Sequence, residues 1–234
     1  MTAKEQILGR IREALKEKAP YPGHSHDHHG SSTSAAPSAA SARQWLPKAG
    51  STPAEWLALF QSAASDLKAE VVLVQDRSAL AESLRGLSET NRWQKIGIHS
   101  GVLTDVASAA LRLPECRTDT SFEARQLENC DAGITECDAL IGQTGSVLLT
   151  NRSAGGRALS VLPPHHVVLA TKEQLVPDLV EAFSLLKGKY ASNYPSFISF
   201  ISGPSRTGDI ERILVLGAHG PKRLTIFLLE SDPT

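Results

Sequence analysis

The sequence predicts an α/β protein built on a mixed, largely parallel sheet, preceded by an amphipathic helix on a linker. Three observations carry this. After Pro53, strand-length apolar runs alternate with helix-length amphipathic stretches, the grammar of β–α–β units. The second half is richer in strands, and several are continuous apolar runs of the kind buried on both faces of a sheet. A tract dominated by Pro, Gly, Ser and Ala separates the first helix from everything that follows. Three segments result: a helix within residues 1–18, a linker over 19–52, and an α/β domain over 53–234.

Residues 3–17 place Ile7, Leu8, Ile11, Ala14 and Leu15 at helical spacing with charges on the other face. The linker contains GHSHDHHG, where His24, His26, Asp27, His28 and His29 crowd together. That composition can ligate a late transition metal. A flexible tract pays ordering entropy and lacks pre-positioned distant ligands, however, so no metal site is expected there. In the domain, Trp56, Leu57, Phe60, Ala64 and Leu67 mark a helix, and residues 70–75 (EVVLVQ) a strand. A helix over 79–87, a strand over 95–99 and a helix over 105–113 follow. Further strands are read at 132–134, 146–150, 158–162, 167–170, 197–201 and 225–229. One helix is read over 177–187, with Pro177 in its first turn, where a missing N–H costs nothing.

Composition narrows the function. Among 234 residues, 24 Lys plus Arg stand against 25 Asp plus Glu, a formal charge of −1. Such balance argues against nucleic acid or anionic lipid as partners, since both select basic faces. No run approaches the roughly 18 apolar residues of a membrane span, and the N-terminal MTAKEQILGRIREALKE is unlike a signal peptide, so a cytoplasmic location is expected. Cys116, Cys130 and Cys137 lack the paired spacings of iron–sulfur or zinc sites, and are read as reduced, buried thiols. GxGxxG, P-loop, GxSxG and HExxH signatures are also missing from the sequence.

Chemistry concentrates in three turn-rich clusters beside strands: residues 133–146, residues 160–166 (SVLPPHH), and GPSRTGDIE (203–211) with GAHGPK (217–222). In the last, Ser205, Arg206 and Thr207 follow a strand directly. A guanidinium binds carboxylate or phosphate through two parallel bonds, hydroxyls add short donors, and glycine lets a ligand near the backbone. Thr144, Gly145 and Ser146 can hold an anion through amides and hydroxyls, or simply turn the chain. Asp209 and His219 are the candidate catalytic pair, an acid orienting an imidazole, though a helix cap and a structural histidine are the competing readings. Gln143, Arg157 and His165 are secondary candidates; Arg157 sits in a segment read as a hairpin loop (153–157). His165 and His166 alternate, so at most one reaches any given pocket.

Taken together and in order, GIT with D-A-x-I-x-x-TGS, S-x-LPP-x-H, GPSRT-x-DIE and G-x-HGPK closely resemble the lactate utilization protein C family, or LUD domain, across roughly residues 54–230. The resemblance implies a layered NagB/RpiA/CoA-transferase-like fold. It also implies an accessory subunit of an iron–sulfur system oxidising L-lactate to pyruvate. Cofactors would then reside in cysteine-rich iron–sulfur partner proteins and none in this chain, which would bind a small carboxylate or phosphate, a cofactor or those partners, with a homo-oligomer compatible. The alternative is an independent enzyme, akin to 5-formyltetrahydrofolate cyclo-ligase, acting on a phosphorylated or acyl molecule. Where the family often has Glu before TGS, this chain has Gln143, which keeps hydrogen bonding but removes a carboxylate base or nucleophile.

Overall fold

The computed structural model of the chain describes residues 3–14, 16, 48–120, 122–207, 215–216 and 220–231. Helix α1, Ala3–Ala14, occupies the expected N-terminal stretch. The linker over 19–47 and its histidine tract lie outside the described residues.

The domain opens with α2, Pro53–Asp66, whose start is set by a reciprocal cap: Thr52 Oγ1 accepts from Glu55 N at 3.3 Å, and Glu55 Oε2 accepts from Thr52 N at 3.2 Å. Then come β1 (Glu70–Val74), α3 (Arg77–Asn91), β2 (Ile96–Ile98), α4 (Val102–Leu111), β3 (Glu115–Arg117), the short α5 (Ala124–Glu128) and β4 (Ala132–Glu136). Next are β5 (Ala139–Ile141), β6 (Ser146–Thr150), β7 (His165–Thr171), β8 (Leu175–Val176), α6 (Leu179–Tyr190), β9 (Ile198–Ile201), β10 (Arg206–Thr207), β11 (Val215–Leu216) and β12 (Arg223–Leu229).

The strands fall into two main sheets. Six form a wholly parallel sheet in the order β1-β12-β7-β4-β2-β3. Four form a second sheet, β8-β5-β6-β9, in which β5–β6 and β6–β9 are antiparallel and β5–β8 parallel. Side-chain alternation builds the layers. Val167 and Leu169 of β7 pack with Leu80, Leu84, Leu103 and Ala107 of α3 and α4. Their neighbours Val168 and Ala170 pack with Phe60 and Ala64 of α2 and with Leu140, Val147 and Leu149 of the small sheet. The small sheet's far face, Ala139, Ile141 and Leu148, meets Ala182, Leu186 and Tyr190 of α6. Between β5 and α6, buried Asp138 takes bonds from Lys189 Nζ at 2.6 Å and Tyr190 OH at 2.7 Å.

Several expectations are corrected. Residues 158–162 are not a strand: Val161 N and Leu162 N both donate to Ala158 O, turning the segment so that Leu159 packs with Leu127, Cys116 and Cys130. Gly133 makes this crossing feasible, because a Cβ there would sit 2.2 Å from Leu159 O. Residues 153–157 are no hairpin loop, since β6 and β7 belong to different sheets. Pro177 precedes the helix: Asp178 is the cap, accepting from Glu181 N at 2.9 Å, and α6 begins at Leu179. β9, read as a buried run, is the exposed edge of the small sheet and is only half buried. β3, α5, β5 and β8, too short to leave a periodic signal, were not foreseen.

Candidate functional site

A cavity of about 230 Å³ lies where β9 crosses the amino-terminal ends of β7 and β12. Its wall joins three of the motif segments: Ser160, Val161 and His166; Gly203, Pro204 and Ser205; and Gly220 and Pro221. Phe197, Ser199, Ile201 and Leu224 complete it. Backbone bonds hold the segments together. Ser205 N–H donates to Pro221 O at 2.9 Å, and β10 pairs antiparallel with β11, Arg206 opposite Leu216 and Thr207 opposite Val215. Ser146 Oγ lies 2.7 Å from Ser202 Oγ, which ties the start of β6 to the exit of β9.

The anticipated residues are distributed unevenly around this cavity. Ser205 is in the wall. Arg206 is half buried against Gly203, its Nη2 3.2 Å from where a Cβ on Gly203 would stand. No carboxylate among the described residues pairs with it. Thr207 is placed as backbone in β10. Thr144, Gly145 and Ser146 belong to the β5–β6 hairpin, packed on the end of α2 rather than lining the cavity. Gly145 takes φ +61°, and a Cβ would meet Ala64 N at 2.5 Å; its N–H donates to Ile141 O at 2.9 Å. Thr144 Oγ1 is buried without a hydrogen-bond partner. Gln143 donates its backbone N–H to Pro177 O at 2.9 Å and lines a separate groove with Trp56, Val176 and Leu185. Arg157 is exposed, and its carbonyl accepts from Ser160 Oγ at 3.0 Å. Asp209 and His219 lie outside the described residues.

The two histidines part as alternation requires. His165 turns toward Trp93, ring centroids 5.4 Å apart, with Nε2 2.9 Å from Thr225 Oγ1. Thr225 spends its single hydroxyl proton on Glu70 Oε2 at 3.1 Å, so His165 Nε2–H is the donor in that pair. His166 turns to the other face and into the cavity wall, with Nε2 2.9 Å from Thr135 Oγ1 and Nδ1 buried without a partner. Burial, and then the charge of Arg223, pushes the His165 imidazole down to about 4. Burial, and then proximity to His165, pushes His166 down to about 3. Both rings are neutral at pH 7. Ser160, His166 and Ser199 are the polar wall residues that sequence reasoning did not select; for His166 the parity of the HH pair was the available signal, without a way to say which parity faced a cavity.

At the opposite, carboxyl edge of the parallel sheet a polar group closes on itself. Glu136 Oε1 accepts from Leu103 N at 2.7 Å and Thr104 N at 3.1 Å, capping α4. Glu136 N–H donates to His99 Nε2 at 3.3 Å, so Nδ1–H points to Ser100 O at 2.8 Å. Arg117 is paired with Glu115 at 2.8 Å and with Asp105 and Asp119 at 3.6 Å. Ser100 Oγ donates to Asp119. The strand-end rule therefore leads to a network in which Arg117 is shared among three carboxylates and Glu136 is used as a helix cap, while the cavity lies at the amino ends of β7 and β12. All three cysteines are free and buried, and burial raises the Cys130 thiol to about 11, away from reactive thiolate. Among the described residues no helix is long and apolar enough to cross a membrane.

A wholly parallel sheet and a second, smaller sheet laid on one face define a two-sheet α/β protein, with a small cavity where the two sheets meet. The chain belongs to the LUD domain family, whose profile matches residues 57–229. It is 37% identical over 116 residues to "Lactate utilization protein C 1" of Bacillus mycoides, covering 49% of each chain. It is 40% identical over 105 residues to "Lactate utilization protein C" of Halalkalibacterium halodurans (44% of this chain, 46% of that one). To the protein of that name in Bacillus subtilis it is 31% identical over 144 residues, 60% of each. The chain thus spans about half the length of the curated relatives it matches. A crystal structure of a DUF162 family protein from Deinococcus radiodurans shares the fold, with TM-score 0.58 and 21% identity over 77% of this chain and 99% of that one.

Proposed function

We propose that this chain serves lactate utilization as an accessory subunit of an iron–sulfur system that oxidises L-lactate to pyruvate. The observation that carries the reading is its likeness to relatives named lactate utilization protein C. The chain supplies carboxylate recognition and a docking body, while electron transfer belongs to cysteine-rich partner proteins. Its own cysteines are buried, and none shares a cluster-ligand spacing with another. Arg206, half buried and without an acid partner among the described residues, is the group that would hold the carboxylate, with Ser205 beside it.

The test is made in the source organism. Disrupting the gene should abolish growth on L-lactate and spare growth on glucose, and the intact gene should restore it. The purified chain alone should reduce no dye acceptor with L-lactate, and affinity purification from lactate-grown cells should recover cysteine-rich iron–sulfur proteins. Complementation by an Arg206→Lys variant should be poorer than by wild type, because the planar fork is lost while charge is kept. Unimpaired growth of the disrupted strain on L-lactate would sink the reading, as would robust lactate oxidation by the chain alone.

A further inference from the structure

We propose that the groove between α2 and α6 is the seat of the chain's own residues 43–47 (RQWLP), with Trp45 as the apolar anchor and Arg43 facing the Glu181 carboxylate. This rests on no part of the lactate reading and concerns a different face from the His166 cavity. The groove measures about 1160 Å³, above the roughly 300–1,000 Å³ of small-molecule clefts, so it suits a length of chain better than a metabolite. Its apolar lining is Trp56, Leu175, Val176 and Leu185. Glu181, exposed in the first turn of α6, and Asp178, the cap of that helix, bring two carboxylates to the wall against the one ammonium of Lys48. Lys48, Ala49, Gly50 and Ser51 lead the chain in and are themselves part of the lining.

The point of entry is fixed by local structure. Gly50 takes φ +78°, and a Cβ there would stand 2.8 Å from Glu55 Cβ, so the chain folds back closely on the first turn of α2. Trp56 Nε1–H donates to Gly50 O at 3.2 Å, and Ser51 N–H and Thr52 N–H both donate to the Glu55 carboxylate. Whatever precedes Lys48 therefore starts from within the groove wall. Trp45 is three residues away, within about 11 Å of Lys48 even when fully extended. A tether that short gives an effective concentration in the millimolar range, so modest contacts suffice to seat it. Composition selects the same stretch. Between residues 19 and 47, Trp45 and Leu46 are the only adjacent large apolar pair, and Arg43 is the only Lys or Arg. An indole in a tract otherwise rich in Ser, Ala and Gly gains by leaving water for Trp56 and Leu185. Pro47 holds Leu46 to extended conformations, and in an extended run residues 43 and 45 share a face. With Trp45 in the groove, Arg43 turns to the same wall, where Glu181 supplies a carboxylate for its guanidinium. Docking covers the apolar strip and moves the fixed end of the N-terminal arm from Lys48 to Arg43.

The experiment uses the full chain carrying 5-fluorotryptophan, in which Trp45, Trp56 and Trp93 give three ¹⁹F resonances, Trp45 being assigned by its loss in Trp45→Phe. In the wild type at pH 7 the Trp45 resonance should stand away from its position in urea. Backbone amides of 43–47 should exchange about tenfold more slowly than those of 31–41, after correction for intrinsic rates. Leu185→Glu should return Trp45 to its urea position and abolish that protection. Trp93, buried in the core cluster of α3 and α4, should keep its resonance and so report a folded domain. Trp45→Ser tests the same contact from the segment's side and should remove the protection of 43–47 equally. Glu181→Gln should lower the protection about threefold at low salt and less at high salt. A wild-type Trp45 resonance at its urea position, or one unmoved by Leu185→Glu while Trp93 stays native, would overturn the docking. Protection unchanged in Glu181→Gln would overturn the Arg43 contact. Protection that falls on about hundredfold dilution would assign the groove to the segment of a second copy and overturn the intramolecular seat.

Discussion

Acidification should destabilise this protein before its carboxylates begin to protonate, because two buried histidines at the start of β7 must take up protons that only the unfolded chain accepts readily. Both imidazoles lie below the ordinary 6.5, His165 at about 4 and His166 at about 3, the first cause in each case being burial. A group whose folded value is depressed stabilises the fold above its unfolded value, and that contribution is lost as pH falls from 6.5 toward the folded value. At about 1.4 kcal/mol per pK unit, lowering pH from 7.5 to 4.5 should cost about 2.5 kcal/mol for each ring, on the order of 5 kcal/mol for the pair. That is a large share of the roughly 5–15 kcal/mol that holds a domain folded. Glu55, Asp119 and Asp138 are held below their ordinary values, respectively by backbone bonds from Ser51, a bond from Ser100, and, against the opposing effect of burial, bonds led by Lys189. Their contributions therefore fade at lower pH than the histidine window. Urea unfolding at pH 7.5, 6.5, 5.5 and 4.5 reads the slope directly. His165→Gln, where the amide can still donate to Thr225, should remove about half of it. A stability unchanged between pH 7.5 and 4.5, or a full slope surviving in a double His165→Gln, His166→Gln variant, would refute the reasoning.

Two further outcomes follow from local geometry. Gly145→Ala should cost about 3 kcal/mol in urea unfolding, roughly 1–2 from the left-handed backbone and the rest from a Cβ pressed on the main chain of α2; a loss under about 1 kcal/mol would show that the hairpin shifts freely. Asp138→Asn should cost about 2 kcal/mol by weakening charge-assisted bonds from Lys189 and Tyr190 that pin α6 to β5. Unchanged stability with α6 amides equally protected from exchange would contradict that role.

The sequence by itself determined the elements long enough to show a period. The helix beginning at Pro53, the strand at 70–74, and the runs that became β7 and β12 were legible because burial on one or both faces writes a repeat of 3.6 or an unbroken apolar stretch. The motif segments around GPSRT, GAHGPK and SVLPPHH were legible as special because turn residues crowd beside strands, and three of them do share a cavity wall. Tertiary structure decided the rest. Whether strands belong to one sheet or two depends on partners distant in the chain, so β6 and β7 could be mistaken for neighbours across residues 151–164. ALSVL at 158–162 alternates like a strand, yet it crosses over Gly133, where the missing Cβ lets its backbone approach the sheet closely. The same logic settles the histidines. Their alternation was readable, but which of them would meet Trp93 and Thr225, and which would enter the cavity wall, follows from the faces that α3 and β9 cover.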